Sequence, residues 1–354
     1  MCESRDSLHI SSTSRRFRNL REVSGHALRS TLHALRLLPL LVLAALAGCE
    51  SQSDSGLGKD FTYDISELRK IDPKLIQFEE GPAIEVGLNE PRGLALDASG
   101  RLYVAGDEAI RVFNARAPGA GDGSGQVAEF PLGGAPQCLA VAADGTLYVG
   151  LRDHVEVYGP KGALKAKWES LGPRAVITAI AVAANDVFVA DAGGLVVLRC
   201  DLAGKVVRRI GRADKEKNIP GFVVPSPYFD LAVGPEGLLW AANPGRHRLE
   251  GYTFDGDLEV SWGKASFAID GFCGCCNPTN FAILPDGRFV TSEKGLPRVK
   301  IYKADGTLES VVAPPERFQR LVAGLDLAVD SRGRILVLDP ASKSVRVFTK
   351  AVEK

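Results

Sequence analysis

The sequence has no excess of charge of either sign and few histidines. Its 354 residues include 43 Lys and Arg, 43 Asp and Glu, and five His. No basic stripe interleaved with aromatic residues runs through the body of the chain, so the electrostatic signature of a nucleic-acid-binding protein is missing. After residue 60 no apolar run approaches the roughly 20 residues that cross a bilayer. Gly-x-Ser-x-Gly, P-loop and dinucleotide-binding motifs are also absent, which removes the sequence support for those enzyme classes.

The amino-terminal 48 residues differ in composition from the rest of the chain. Several arginines precede the apolar run LLPLLVLAALAG, which is followed by Cys49. A basic flank, an apolar core and small residues in this order are typical of a secretory signal, predicted over residues 1–48. The tetrapeptide Leu46-Ala47-Gly48-Cys49 resembles a bacterial lipobox, and this resemblance implies that Cys49 carries the lipid of a mature lipoprotein.

A polar and aperiodic stretch follows the cysteine. Residues 49–60, including ESQSDSGLG, are predicted to form a flexible tether between lipid and domain. We therefore expect an exported protein that is held on the cell envelope by its lipid. Glu50 after the cysteine favours, by the same resemblance, the periplasmic side of the outer membrane in a Gram-negative host.

Beyond residue 60 the sequence repeats itself six times. The repeats begin with LALDASGRLYVAG at Leu94, LAVAADGTLYVGL at Leu139, IAVAANDVFVAD at Ile180, LAVGPEGLLWAAN at Leu231, FAILPDGRFVTSE at Phe281 and LAVDSRGRILVLD at Leu327. Successive starts differ by 45, 41, 51, 50 and 46 residues, a spacing typical of propeller blades. Each repeat contains alternating apolar residues, a hairpin turn and a β-branched or aromatic second strand. The regular period argues against two β-sandwiches, which need no internal repeat.

These features predict an all-β fold, a six-bladed β-propeller over residues 61–354. The last repeat ends at its third strand, whereas the apolar stretch LIQFEEGPAIEVG precedes the first repeat. We expect this amino-terminal stretch to supply the missing strand and close the ring. The unit from Pro91 to Ala105 resembles the NHL repeat, and the resemblance extends over roughly residues 88 to 349. It implies an NHL/TolB-like architecture, which by itself carries little information about function.

Two enzyme families on similar propellers have patterns that this chain lacks. Peptide-amidating lyases use several histidines on zinc, but only His154 and His247 lie beyond the predicted signal and tether. Lactonase-like relatives place acidic or amide calcium ligands one residue before the glycine position of the repeat. The corresponding residues here are Arg92, Gln137, Thr178, Phe229, Thr279 and Leu325. The sequence therefore favours a protein without enzymatic activity.

The fifth repeat differs from the others in the segment that leads into its first strand. This lead-in segment, Gly271–Asn280, contains three of the chain's seven cysteines. The loop after the second strand of the same repeat reads Thr-Ser-Glu-Lys-Gly. Because the two strands are antiparallel, both segments should lie on one face of the propeller. The candidate ligand-binding or redox residues on this face are Cys273, Cys275, Cys276, Asn280, Ser292, Glu293, Lys294 and Arg298.

Two interpretations of this cysteine cluster are open. In the first, the thiolates bind a soft metal or react with an oxidant, and Lys294 or Arg298 lowers a thiol pKa. In the second, one or two of these cysteines form disulfides with Cys138 or Cys200 and brace a long loop. Export favours the second interpretation, and the spacing of the cysteines does not match a zinc site.

A further set of candidates lies at the position two residues before the alanine of each repeat. The residues there are Gly93, Cys138, Ala179, Asp230, Asn280 and Asp326. Since the first strands line the central channel, Asp230, Asn280 and Asp326 are expected to converge, either on a cation or polar ligand or on neighbouring backbone and water. Cys138 at the same level either faces the channel or packs as a small apolar residue.

The sequence thus supports two functional hypotheses. The first is a membrane-tethered binding scaffold that holds a protein, a glycan or a small ligand through the face carrying the cysteine loop. The second is a thiol-dependent redox or metal-binding protein centred on Cys273, Cys275 and Cys276. No cofactor is identified; the cysteine cluster and the channel are the two places where a metal ion fits the available side chains.

Overall fold

The computed structural model describes residues 66–115, 125–319 and 323–352. The predicted signal sequence, the lipidation candidate Cys49 and the predicted tether lie outside the described residues. Within those ranges no helix is long and apolar enough to span a membrane. The helical elements described are the short helix α1 (Ser66–Arg69) and the 3-10 segments Pro73–Leu75, Pro244–Arg246 and Pro315–Arg317.

The remaining regular structure consists of strands. Two short strands come first, β1 (Phe78–Glu80) and β2 (Ile84–Glu85). Blade one contains β3 (Pro91–Leu96), β4 (Arg101–Gly106), β5 (Ala109–Asn114) and β6 (Gln126–Pro131). Blade two contains β7 (Cys138–Val141), β8 (Leu147–Gly150), β9 (Val155–Tyr158) and β10 (Leu164–Lys167). Blade three contains β11 (Ile177–Val182), β12 (Val187–Asp191), β13 (Val196–Cys200) and β14 (Val206–Ile210).

The second half of the chain continues the pattern. Blade four contains β15 (Leu231–Val233), β16 (Leu239–Asn243), β17 (Arg248–Tyr252) and β18 (Leu258–Trp262). Blade five contains β19 (Asn280–Ile283), β20 (Phe289–Ser292), β21 (Val299–Tyr302) and β22 (Leu308–Ala313). Blade six contains β23 (Asp326–Val329), β24 (Ile335–Asp339) and β25 (Ser344–Lys350).

Each blade is an antiparallel sheet whose strands pair in chain order. The first strands of consecutive blades contact one another, and β23 of blade six contacts β3 of blade one. The six sheets are therefore arranged around a central channel, and the predicted six-bladed β-propeller is confirmed.

The fourth position of blade six is filled from the other end of the chain. Strands β1 and β2 both pair with β25, with Phe78 opposite Lys350 and Ile84 opposite Val345. An ion pair reinforces this junction, because Arg346 donates to both carboxylate oxygens of Glu80 at 2.7 and 2.8 Å. The amino-terminal stretch thus occupies the place where the sequence predicted a closing strand.

The hydrophobic core is divided among the gaps between blades. Six clusters of buried residues occupy the six gaps, one between each pair of neighbouring sheets. The cluster between blades four and five is rich in aromatic residues, among them Trp262, Phe272 and Phe289. Each sheet is therefore covered on both faces, which explains why the second strands are almost wholly buried.

The hairpin between the first and second strands uses an aspartate and a glycine. In blade one the Asp97 carboxylate accepts backbone N–H groups from Ser99 and Arg101, both at 2.9 Å, while Gly100 has φ of +81°. A residue with a Cβ is disfavoured at that φ, so glycine fits the turn. These hairpins lie on one face of the propeller, here called the turn face. The lead-in segments and the loops between strands two and three lie on the opposite face, here called the lead-in face.

Candidate functional site at the channel mouth

The central channel brings together the four polar or cysteine residues that the sequence placed at one level. It encloses a cavity of about 210 Å³ whose lining includes Cys138, Asp230, Asn280 and Asp326. Burial, together with the charges of Asp326 and Asp230, raises the pKa of the Cys138 thiol. Cys138 therefore lines the channel as a neutral thiol and packs at the edge of the cluster between blades two and three.

Both channel aspartates bind the backbone of the next blade. Asp230 Oδ2 accepts the N–H of Phe281 in blade five at 2.8 Å, and Asp326 Oδ2 accepts the N–H of Leu94 in blade one at 2.8 Å. Asn280 donates to Asp326 Oδ1 at 3.4 Å. These contacts match the backbone-binding alternative considered from the sequence, and they connect the innermost strands across blade boundaries.

The two aspartates are partly buried in the channel, and their carboxyl groups influence each other. Burial, followed by the charge of Asp326, raises the pKa of Asp230 to about 8. Burial raises the pKa of Asp326 to about 6, against the effect of the hydrogen bonds that it accepts. At neutral pH the pair therefore retains about one proton.

This shared proton predicts a pH-dependent stability. Because both pKa values exceed the ordinary 3.8, the folded protein binds more protons than the unfolded chain between about pH 4 and 8, so its stability falls as pH rises through that range. The slope is at most about 1.4 kcal/mol per pH unit for each proton. Asp230→Asn should flatten this slope in urea unfolding at about pH 5 and 7.5, whereas Asp286→Asn on the turn face should not. Equal slopes for wild type and Asp230→Asn would contradict the assignment.

The channel opens on the lead-in face through two adjoining cavities. One of about 150 Å³ is lined by Gln137, Thr178 and Gly324, and the other of about 350 Å³ is lined by Glu90 and other residues. Arg92 and Tyr228 line both cavities. The mouth therefore combines hydrogen-bonding groups, a guanidinium and an aromatic ring, a mixture typical of sites for polar ligands.

Lys294 joins this mouth to the cysteine loop of blade five. Its Nζ donates to Ser226 Oγ at 3.0 Å and lies 4.7 Å from the centroid of the Tyr228 ring. Tyr228 in turn accepts the N–H of Gly324 from blade six at 3.0 Å. Blades four, five and six therefore meet around one lysine and one tyrosine.

The cysteines in the lead-in segment of blade five have unequal environments. Cys275 is exposed, whereas Cys273 and Cys276 are buried. The Sγ atoms of Cys275 and Cys276 lie 3.1 Å apart. Burial opposes ionisation of Cys276, but the Ser226 hydroxyl, Cys275 and the charge of Lys294 outweigh it, so the pKa of Cys276 is lowered. Lys294, one of the two cations that the sequence proposed for this role, lies where its charge favours a thiolate.

Cys273 is held in a different way. Burial and the neighbouring Glu293 carboxylate raise the pKa of Cys273 to about 11. Its carbonyl accepts a hydrogen bond from Asn277 Nδ2 at 2.6 Å, and Asn277 also bonds both backbone groups of Lys294. Arg298 lies beside Cys273, yet the thiol pKa is raised. Cys273 is thus part of the scaffold of the loop.

Within the described residues all five cysteines are free thiols. The alternative of disulfides to Cys138 or Cys200 does not match this arrangement, because Cys138 lines the channel and Cys200 packs between blades two and three. No group of three or more His, Cys, Asp or Glu side chains in the described part of the chain is arranged to hold a metal ion.

Glu293 and Arg298 form a buried ion network with Lys300. Glu293 lies 2.7 Å from Arg298 Nη2 and 2.8 Å from Lys300 Nζ, and all three side chains are at most 1% exposed. Lys300 also donates to the carbonyls of Ile269 and Gly271 at 3.1 and 2.7 Å. Burial opposes the charge of Glu293, but Lys300 and Arg298 outweigh it and lower the pKa of Glu293.

Residues at the position of Glu293 in other blades also accept a backbone N–H group from their lead-in segment. Glu293 accepts the N–H of Cys273 at 3.0 Å, just as Asp191 and Asn243 accept lead-in N–H groups of Val176 and Val223 at 2.9 Å. The sequence placed Glu293 among the candidate ligand-binding or redox residues. The structure instead gives it the same contact, with both carboxylate oxygens bonded inside the protein.

Ser292 and Asn280 stand at the boundary between blades five and six. Ser292 Oγ donates to the carbonyl of Leu325 at 2.7 Å and contacts Thr279 Oγ1 at 3.1 Å. Ser292 is fully buried, whereas Asn280 lines the channel. Of the candidates on the loop and its strands, Cys275, Cys276 and Lys294 remain the ones with chemically available groups.

Sequence reasoning missed several residues of this site. Ser226 and Tyr228 lie in the lead-in segment of blade four, which carries no repeat signature. Lys300 is detectable in retrospect, because blades two and four place Glu156 and Glu250 at the same point of the third strand. The same point carries Arg111 in blade one and Arg346 in blade six, and each of these arginines is paired with a carboxylate, so a lysine there indicates a carboxylate partner nearby.

Comparisons with known proteins support the fold. No protein-family model and no curated protein matches the sequence. Selenomethionine-substituted virginiamycin B lyase from Staphylococcus aureus matches with a TM-score of 0.53 and 13% identity, over 78% of this chain and 99% of that chain. A protein of unknown function from Bacteroides thetaiotaomicron has a TM-score of 0.55 and 15% identity, over 77% and 72% of the two chains.

The WD40 β-propeller domain of Doa1 matches with a TM-score of 0.51 and 18% identity, over 74% of this chain and 79% of that domain. At these identities the similarity shows the fold alone. The chain is therefore a six-bladed β-propeller, an architecture that can serve as an interaction scaffold.

Proposed function

We propose that this protein is an exported, lipid-anchored NHL-type propeller that binds its partner over the channel mouth on the lead-in face. The observation that carries this proposal is the contact of Lys294 with Ser226 and Tyr228, which joins the unusual loop of blade five to the cavities at the mouth. A loop that differs from its five siblings and borders a polar cavity is where a repeat scaffold acquires specificity.

The chemistry of the mouth indicates a polar partner. Arg92 is half exposed and paired with Glu90 at 2.8 Å, so its guanidinium is available at the rim. Thr178 and Gln137 lie deeper, next to the channel. A small polar ligand, a glycan or a polar segment of a protein all fit these groups, and the lipid at Cys49 would keep the domain close to the membrane.

Site-specific photo-crosslinking in intact cells tests the proposal. A photoreactive residue at Arg92 is expected to give a discrete adduct, and one at Asp286 on the turn face is expected to give none. Tyr228→Ala should reduce the Arg92 adduct several-fold, because the ring lines both cavities. Fractionation of the same cells checks the anchor, since Cys49→Ala should release the protein from the membrane. Equal adducts at both positions, or none at either, would overturn the binding face.

A further inference from the structure

We infer that Cys275 and Cys276 form a thiol–disulfide exchange site, which cycles between the dithiol seen here and a disulfide between the two adjacent cysteines. The pair has a geometry that the other cysteines in the described residues lack. Its sulfur atoms are 3.1 Å apart, one thiol is exposed, and the other is buried beside the Lys294 ammonium. This inference goes beyond the proposed binding function and does not depend on it.

The two thiols are suited to different steps of an exchange. Cys275 is the one that an external disulfide can reach. Cys276 is 3% exposed and lies next to the Ser226 hydroxyl and the Lys294 ammonium, which stabilise its thiolate. A buried thiolate in contact with its neighbour is suited to resolving a mixed disulfide and, in the reverse direction, to leaving as the better leaving group.

The reaction balances with an external disulfide, R–S–S–R, as the oxidant. The Cys275 thiolate attacks one sulfur, so that a Cys275–S–S–R bond forms and the first R–S⁻ leaves. The Cys276 thiolate then attacks the Cys275 sulfur, forming the Cys275–Cys276 disulfide and releasing the second R–S⁻. Two electrons pass from the cysteines to the external disulfide, and the two thiol protons end on two R–SH molecules.

The surrounding contacts keep the third cysteine out of this reaction. Cys273 is buried next to Glu293, and its backbone is fixed by Glu293 and Asn277. On the other side, His247 Nε2 contacts the carbonyl of Gly274 at 2.5 Å. The loop is thus held at Cys273 and at Gly274, while the next residue, Cys275, remains exposed.

Glutathione disulfide is a suitable probe for the full-length protein. After treatment, free thiols are alkylated and the peptides are identified by mass spectrometry. In the wild type the peptide with residues 275 and 276 should escape alkylation and lose two hydrogens. Cys276→Ser should retain one glutathione on Cys275, and Cys275→Ser should form neither product. Lys294→Met should slow the resolving step by at least about threefold at neutral pH.

Cys273→Ala is the matched control and should react like the wild type. Thermal unfolding establishes that each variant is folded; if Cys276→Ser unfolds, Cys275→Ser at the exposed position still decides the question. The inference is overturned if the wild-type pair stays fully alkylated, or if folded Cys276→Ser holds no glutathione on Cys275. Neither result affects the test of the binding face, because crosslinking at Arg92 involves no thiol.

Discussion

Replacement of Glu293 by glutamine is expected to lower the free energy of unfolding by about 3–5 kcal/mol, because it leaves two buried cations without a counter-ion. Arg298 and Lys300 are at most 1% exposed and share this carboxylate. Burial already lowers the pKa of Lys300 to about 8 in the presence of Glu293. Without the carboxylate, the chain has two ways to avoid an unpaired buried charge. Lys300 can lose its proton on folding, or the lead-in segment can open and admit water. Urea unfolding at neutral pH measures the loss.

Glu250→Gln is the matched control for this experiment. Glu250 is also fully buried, and its position in blade four is equivalent to that of Lys300 in blade five. Its carboxylate accepts hydrogen bonds from Asn243 and Tyr252, and no cation donates to it in the described structure. We expect it to cost about 1 kcal/mol. Adding Lys300→Met to Glu293→Gln should restore part of the stability, since it removes one unpaired charge. Unchanged stability in Glu293→Gln would instead support the direct ligand role that the sequence suggested.

A chain that begins at Asn89 is expected to lose cooperative unfolding at 25 °C. This truncation removes β1 and β2 and, with them, the buried side chains of Phe78, Ile84, Val86 and Leu88. Each such loss costs about 2–4 kcal/mol, and together they approach or exceed the 5–15 kcal/mol by which a typical domain is stable. The truncation also leaves β25 as an unpaired edge. Circular dichroism during thermal unfolding measures the effect.

A chain that begins at Ser66 is the control and should unfold cooperatively, since it keeps every described strand. A synthetic peptide covering residues 74–88, added to the shorter chain, should restore the transition in a concentration-dependent way. Identical melting of the two truncated chains would show that the closing strand contributes little to stability.

The fold was predictable because the same sequence pattern occurs six times along the chain. Alternating apolar residues and Asp-Gly turns at blade spacing specify the antiparallel sheets, and the short last repeat indicates where a strand from elsewhere is needed. The exact bounds of β1 and β2 were not predictable, because Gly81 and Pro82 split the predicted strand into two short ones.

The site was predictable only in part. The sequence pointed to Lys294 or Arg298 as a cation that lowers a thiol pKa, and the structure places Lys294 beside Cys276 and Arg298 beside Cys273. It could not separate Cys276, whose pKa is lowered, from Cys273, whose pKa is raised, because that difference comes from Ser226 and Glu293 at distant positions. Similarly, the sequence made Glu293 a ligand-binding or redox candidate, whereas the structure pairs its carboxylate with Arg298 and with Lys300 on the following strand.

The pairing of β1 with β25 has a consequence for the order in which the chain can fold. Glu80 and Arg346, which bond across this junction, are 266 positions apart. Blades one to five can each form as their own strands emerge from the ribosome, but β1 can pair with β25 only after β25 has been made. Only a chain translated through its final strand can complete the ring. Closure of the propeller therefore distinguishes finished chains from prematurely terminated ones.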